Sequence, residues 1–158
     1  MPLPLENIKI LDMTRAAAGP FCTMLLADMG ADVIKIEKPA GGDDTRRMGP
    51  PFVDDTAAAF LMVNRNKRSI VIDLKQQEGK QIIQDMVSNA NVIVENFRPG
   101  VMKKLGLDYN DLKKVNPRLI YCSITGFGRT GPYANRGGFD LIAPVSYTHL
   151  TLPTSDLV

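Results

Sequence analysis

Ile8-Lys-Ile-Leu-Asp12, Pro20-Phe-Cys-Thr-Met-Leu-Leu-Ala-Asp-Met-Gly30 and Val33-Ile-Lys-Ile-Glu37 follow one another closely, and their reading decides the fold. The first is a short apolar run that stops at a polar turn, as a strand does. In the second, Phe21, Met24, Leu25 and Ala27 recur at helical spacing, Pro20 suits a helix start and Gly30 a C-terminal stop. The third is rich in β-branched residues, with Lys35 interrupting it, and reads as a second strand.

The same grammar continues outward. A Gly/Pro/Asp-rich loop fills residues 39–51, and Ala57–Val63 predicts a short helix. Ser69–Asp73 reads as a strand. Glu78–Val87 is an amphipathic helix with Ile82, Ile83, Met86 and Val87 on one side. Val92–Glu95 is a further strand, Tyr109–Val115 a helix and Leu119–Thr125 a last strand. Strands separated by helices predict an α/β fold with a doubly wound, mostly parallel sheet covered on both faces. Beyond Ala143 the periodicity stops in a Thr/Leu/Pro-rich stretch. The expected division is therefore a domain over 1–143 and a non-native or disordered tail over 144–158, in which Tyr147 and His149 carry no functional weight.

Composition narrows the function. The 158 residues are 44% hydrophobic and 23% charged, ordinary for a globular domain. Lys and Arg number 19 against 17 Asp and Glu, a net charge of +2. That excess is too small to argue for nucleic acid. Cys22 and Cys122 form no C-x-x-C pair and read as reduced, small core residues. With His149 the only histidine, a histidine triad or zinc site cannot be built in the body of the chain. Neither a leader nor a membrane span is visible, so the expectation is a cytoplasmic or organelle-matrix protein without a membrane partner.

Individual motifs, taken alone, are ambiguous. The first strand-to-helix turn lacks the glycines of a dinucleotide fingerprint, yet it places Arg15 where doubly wound sheets bind ligands. Gly126-Phe-Gly-Arg-Thr-Gly131 does match G-x-G-x-x-G, but no apolar periodicity follows it, so it reads as a glycine-rich loop rather than a nicotinamide site. Asn64-Arg-Asn-Lys-Arg68 reads as a solvated basic loop, and Asp43, Asp44 and Arg46 as a solvated cluster without metal-ligand spacing. In Glu95-Asn-Phe-Arg-Pro-Gly100, Phe97 could offer a ring face and Asn96 edge hydrogen bonds to a purine; the competing reading is a capped turn with Phe97 in the core.

Together the motifs say more. The chain resembles the class III CoA-transferases (the formyl-CoA transferase, carnitine CoA-transferase and α-methylacyl-CoA racemase group) from about Pro4 to Ala143. The resemblance rests on Asp12-Met-Thr-Arg-x3-Gly-Pro20, Leu26-Ala-Asp-Met-Gly-Ala-Asp-Val-Ile-Lys-Ile-Glu-Lys-Pro39 and Gly42-Asp-Asp-Thr-Arg46. It extends through Asn64-Arg-Asn-Lys-Arg-Ser69, Val94-Glu-Asn-Phe-Arg-Pro-Gly100 and Ser123-Ile-Thr-Gly-Phe-Gly-Arg-Thr-Gly-Pro132. Within that family the wording is closest to the succinyl-CoA:glutarate CoA-transferase-like branch.

The resemblance implies coenzyme A or an acyl-CoA as substrate and no tightly bound cofactor or metal. It implies a cleft with Arg15, Ala16 and Ala17 at its mouth, and Lys38 near the adenosine phosphate. Ile72, Asp73, Leu74 and Lys75 would run along adenine and ribose, Asn96 and Phe97 along pantetheine or adenine, and Lys104 would meet another phosphate. Lysine at such positions gives a point charge rather than a bidentate fork. The implied chemistry moves CoA from an acyl-CoA thioester to a carboxylic acid through aspartyl-anhydride and aspartyl-CoA intermediates. The nucleophilic aspartate is expected downstream of Phe139-Asp-Leu-Ile-Ala143, so no catalytic residue is assigned here, and Asp140 reads as a cap or active-site neighbour. The expectation is an N-terminal fragment, inactive alone, of a protein whose full-length parent is an interlocked homodimer. The alternatives are an acyl-CoA racemase of the same family and a non-catalytic CoA- or nucleotide-binding module.

Overall fold

The computed structural model describes residues 2–138. Its centre is a five-stranded parallel sheet of β1 (Lys9–Asp12), β2 (Asp32–Glu37), β5 (Lys67–Val71), β6 (Val92–Glu95) and β7 (Ile120–Ser123), in the order β5-β2-β1-β6-β7. The chain starts in the middle, winds out to β5, then returns beside β1 and winds out the other way. This is the doubly wound arrangement the sequence predicts. A small antiparallel hairpin, β3 (Phe52–Val53) and β4 (Thr56–Ala57), stands apart from the sheet.

Strand alternation builds two cores. Leu11, Ile36 and Ile93 face one side, where they meet Ile83 and Val87 of α3 (Gln77–Ser88), Met102 of α4 (Val101–Leu105) and Leu112 of α5 (Tyr109–Val115). Ile10, Val33 and Val94 face the other, against Leu26 and Ala27 of α1 (Ala18–Asp28). The remaining α-helix, α2 (Ala58–Asn64), packs on α1. A sheet covered on both faces cannot show alternating polarity, which is why its strands read as short apolar runs.

Several expectations shift. The third strand of the sheet is Lys67–Val71, not Ser69–Asp73, because Lys67 pairs with Val33 and Val71 with Glu37; Ile72 then donates its N–H to the Glu37 carbonyl and leaves the sheet. β7 ends at Ser123 rather than Thr125, and α1 begins at Ala18, ahead of Pro20. Helix α4 was not legible in so short an apolar pattern. It is bracketed by Gly100 and Gly106, both in the left-handed region at φ 84° and 69°. Cys22 and Cys122 are free thiols but only half-buried, and burial pushes the Cys122 thiol upward in pKa. The readings placed on Asp140, Tyr147 and His149 lie outside the described residues.

The largest correction concerns charge. Lys35, Lys67, Asp43 and Arg46 are not solvated interruptions; they form an ionic lattice by the carboxyl ends of β1 and β2, which Lys67 reaches from the start of β5. The Lys67 ammonium, with 2% of its side chain exposed, donates to Asp12 Oδ2 (2.9 Å), the Pro20 carbonyl (2.8 Å) and Asn64 Oδ1 (2.9 Å). Asp12 also accepts from the Thr14 N–H and from the Thr14 and Thr23 hydroxyls. Lys35 pairs with Asp43 at 2.9 Å and donates to the Thr14 carbonyl. Arg46 forks onto Glu37 (2.8 and 2.6 Å) while its guanidinium lies 3.8 Å from the centre of the Phe60 ring. Gly42 makes this packing possible: at φ +67° a Cβ there would sit 2.1 Å from Glu37 Oε2.

Candidate functional site

A cleft of about 840 Å³ opens across the carboxyl ends of β1, β2, β5 and β6, where the loops that follow these strands meet. Sheets of this topology open a crevice where the winding reverses, here between β1 and β6. The two sides of that reversal are tied together. Arg15, just past β1, donates its N–H to Asn96 Oδ1 at 2.8 Å, and Asn96 Nδ2 donates back to the Arg15 carbonyl at 2.8 Å. The amide thus prolongs the β1–β6 ladder beyond the strands. Its atoms read from sequence as purine-edge donors and acceptors are engaged by backbone.

Above this clamp the Arg15 guanidinium lies 4.9 Å from the centre of the Phe97 ring. Phe97 is half-buried: it packs on the α3–α5 core and also lines the cleft, so both readings of it hold a part. Asp73, Leu74 and Lys75 come from the turn after β5, with Ile72 at its base, and Lys38 follows β2 directly. Met13, Ile36, Ile72, Val101 and Leu105 give the cleft an apolar floor, while Arg15, Lys38 and Lys75 give it a cationic rim. A floor of this kind suits a flat apolar ring, and a rim of ammonium and guanidinium groups suits phosphate.

The structure brings Arg15, Lys38, Ile72, Asp73, Leu74, Lys75, Asn96 and Phe97 into this one cleft. It leaves Ala16 and Ala17 exposed on the turn into α1, outside the lining. Ala16 adopts φ 62° there. Lys104 is exposed on α4, between the lining residues Val101 and Leu105. The glycine-rich loop reaches the neighbourhood too: Gly126, Arg136, Gly137, Asn96 and Phe97 enclose an adjoining hollow of about 130 Å³.

Sequence reasoning missed Arg98 and Asp44 in the cleft. Asp44 opens a 3-10 turn, Asp44–Arg47, capped by Asp43, whose carboxylate accepts from the Thr45 N–H. It pairs with Lys38 at 2.5 Å and Arg47 at 3.4 Å, and the Lys38 hydrogen bond holds its carboxyl below the usual range, with the Arg15 charge assisting. No local spacing signals a pair between Lys38 and Asp44; the loop's path creates it.

The motif wording, the sheet order and the cleft all agree with one further observation: the profile of CoA-transferase family III matches residues 5–155. The chain belongs to that family. Among its relatives, the succinyl-CoA:glutarate CoA-transferase of Mus musculus is 50% identical over 152 residues, covering 95% of this chain and 35% of that protein. The succinate–glutarate CoA-transferase of Agrobacterium fabrum is 52% identical over 145 residues, covering 88% and 36%. A CaiB/BaiF family protein from Brucella suis superposes with a TM-score of 0.88 at 48% identity, over 94% of this chain and 40% of that one. The chain therefore spans about a third of the length of the curated relatives it matches. Among the described residues, no helix is long and apolar enough to cross a membrane.

Proposed function

We propose that this chain is the coenzyme-A-binding part of a CoA-transferase, with the cleft between β1 and β6 receiving the nucleotide end of CoA. The observation that carries this reading is the joining of Arg15, Lys38 and Lys75, from loops after different strands, around one apolar floor. A ligand with an aromatic base, a diphosphate and a further phosphate uses both features at once. Phe97, stacked under Arg15 and flanked by the glycine-rich loop, marks the exit toward the smaller hollow, where the pantetheine arm would run.

In the whole protein, CoA would pass from an acyl-CoA to a carboxylic acid. An aspartate carboxylate beyond Ala143 attacks the thioester carbonyl and expels CoA thiolate, leaving a mixed anhydride. The thiolate attacks the aspartyl carbonyl, releasing the donor acid and forming aspartyl-CoA, from which the acceptor carboxylate takes the CoA. The residues of this chain bind and orient CoA and keep its thiolate from diffusing away between these steps. The names of relatives at 50% and 52% identity support succinyl-CoA as donor and glutarate as acceptor. A homodimer is the proposed assembly of the full-length protein.

Calorimetric titration of the chain with CoA tests the binding reading. Lys38→Ala and Lys75→Ala are each expected to weaken CoA by about 1 kcal/mol, since both side chains are partly exposed to solvent. Lys104→Ala should do less, and added salt should shrink every difference. Absence of CoA binding at millimolar ligand, or equal affinity in all three variants, would sink the assignment.

A further inference from the structure

Among the described residues, three carboxylates line the cleft: Glu37 is taken up by Arg46 and Ser69, Asp73 accepts from the Lys75 N–H, and Asp44 faces the cationic rim. Asp44 lines the cleft beside Lys38, Arg15 and Lys75, and its carboxylate already holds the Lys38 ammonium at 2.5 Å and Arg47 at 3.4 Å. About half of the Asp44 side chain and a third of that of Lys38 are exposed, at 51% and 33%. An ion pair this open to water is weak and readily exchanged. Asp44 has no role in the buried lattice: Asp43, Glu37 and Asp12 hold that together. Nor does it cap its own turn, which Asp43 does.

We propose that Asp44 is a displaceable internal counter-anion, which occupies the phosphate position at Lys38 when the cleft is empty and lowers the affinity for the ligand's terminal phosphate. The proposal rests on the CoA-binding reading and adds a specificity residue to it. A ligand phosphate takes the Lys38 ammonium only by displacing the carboxylate or by lying beside it, and either course reduces the gain from the new contact. Like charges brought to one cation repel, so the carboxylate opposes binding even after it has swung away. A ligand without that phosphate leaves the Lys38–Asp44 pair intact and is indifferent to it. Asp44 therefore weakens the hold on CoA at one end of the molecule without touching the end that reacts. A transferase has to release the CoA ester it has made, and a built-in competitor shortens that release.

Calorimetry with CoA and 3′-dephospho-CoA on the wild-type chain and on Asp44→Asn, Asp44→Glu and the Lys38→Ala/Asp44→Asn pair decides the matter. Asp44→Asn is expected to bind CoA about 2- to 5-fold more tightly at low salt, the range an exposed ion pair spans. It should bind 3′-dephospho-CoA unchanged, and Asp44→Glu should behave as wild type. Adding Lys38→Ala should abolish the gain, since no freed ammonium remains. CoA binding by the wild type with no gain in Asp44→Asn, or with an equal gain for both ligands, overturns the proposal and leaves the CoA-binding reading standing. No binding of CoA by any of the proteins overturns both.

Discussion

Replacing Lys67 by Met should cost this fold about 3 kcal/mol, although the side chain lies outside the cleft. Met keeps most of the volume of the stem and removes only the charge. The ammonium it deletes donates to Asp12 Oδ2, to the Pro20 carbonyl and to Asn64 Oδ1, all at 2.8–2.9 Å. Both charged side chains are sealed, with 2% of Lys67 and 0% of Asp12 exposed. Breaking one side of such a pair costs about 3–5 kcal/mol, because a buried charge is left without its partner. Asp12 retains the Thr14 N–H, the Thr14 and Thr23 hydroxyls and the nearby Lys35 charge, which places the loss at the lower end, ~3 kcal/mol. A domain of this size has about 5–15 kcal/mol in total. With a urea dependence of ~2 kcal/mol per molar, the unfolding midpoint should fall by about 1.5 M. The pair Asp12→Asn/Lys67→Met should lose less than the sum of the single variants by at least ~1 kcal/mol, since the second change removes a charge already orphaned. A Lys67→Met midpoint within experimental error of wild type would refute the claim that the lattice holds the sheet's carboxyl end.

Acid should act through Glu37. Burial alone would raise its pKa, but the Arg46 fork, the Ser69 hydroxyl and the Asp43 N–H hold it at about 2, below the ordinary 4.5. A depressed carboxyl contributes stability that is complete above pH 4.5 and is lost as pH falls from there toward 2. Urea unfolding followed between those limits should therefore show a steep acid limb that flattens in Glu37→Gln; identical limbs would count against the assignment. Asn96→Ala should cost about 1–3 kcal/mol by deleting the two bonds that tie β6 to the Arg15 backbone, and should weaken CoA as well. Asn96→Asp keeps the acceptor for the Arg15 N–H but faces the Arg15 carbonyl with an oxygen, so it should recover neither property; full recovery would show that the donor half of the clamp is idle.

Much of this was legible because the sheet is parallel and its strands are short. Apolar runs separated by helical periodicity leave few arrangements, and Ile8–Asp12, Pro20–Gly30 and Val33–Glu37 already describe the central unit. The errors fall where local pattern is silent. A helix as short as Val101–Leu105 has no room for periodicity, and only its bracketing glycines hint at it. Lysine in a strand reads as an interruption until its partner is known. Lys35 meets Asp43 across a loop, and Lys67 meets Asp12 across α1 and β2, separations that no spacing rule spans. The same holds for Asp44, whose pairing with Lys38 depends on the path between them. The cleft residues were found as a group only because the motifs resemble a family; their types alone left Arg15 and Phe97 undecided.

The strand ends show why basic residues in these motifs divide between the lattice and the cleft. Each strand bordering the crevice ends in a carboxylate, or is followed by one within two residues, that bonds back to a later backbone N–H. Asp12 accepts from Thr14, Asp73 from Lys75 and Glu95 from Phe97, in each case two residues on, while Glu37 accepts from Asp43 further along its loop. Such a bond fixes the turn as the chain leaves the sheet. Asp12, Glu37 and Glu95 are buried, and residues that follow them, Arg15, Lys38 and Phe97 with Arg98, are among those that line the cleft. An acid at the strand end is thus turned into a fixed direction for the residue just beyond it. It follows that Glu95→Gln, although its side chain does not line the cleft, should loosen the Phe97 turn and weaken CoA more than it weakens the fold. Calorimetry set beside urea unfolding measures the two losses separately. A loss of stability with CoA affinity intact would show that the carboxylates serve the sheet alone.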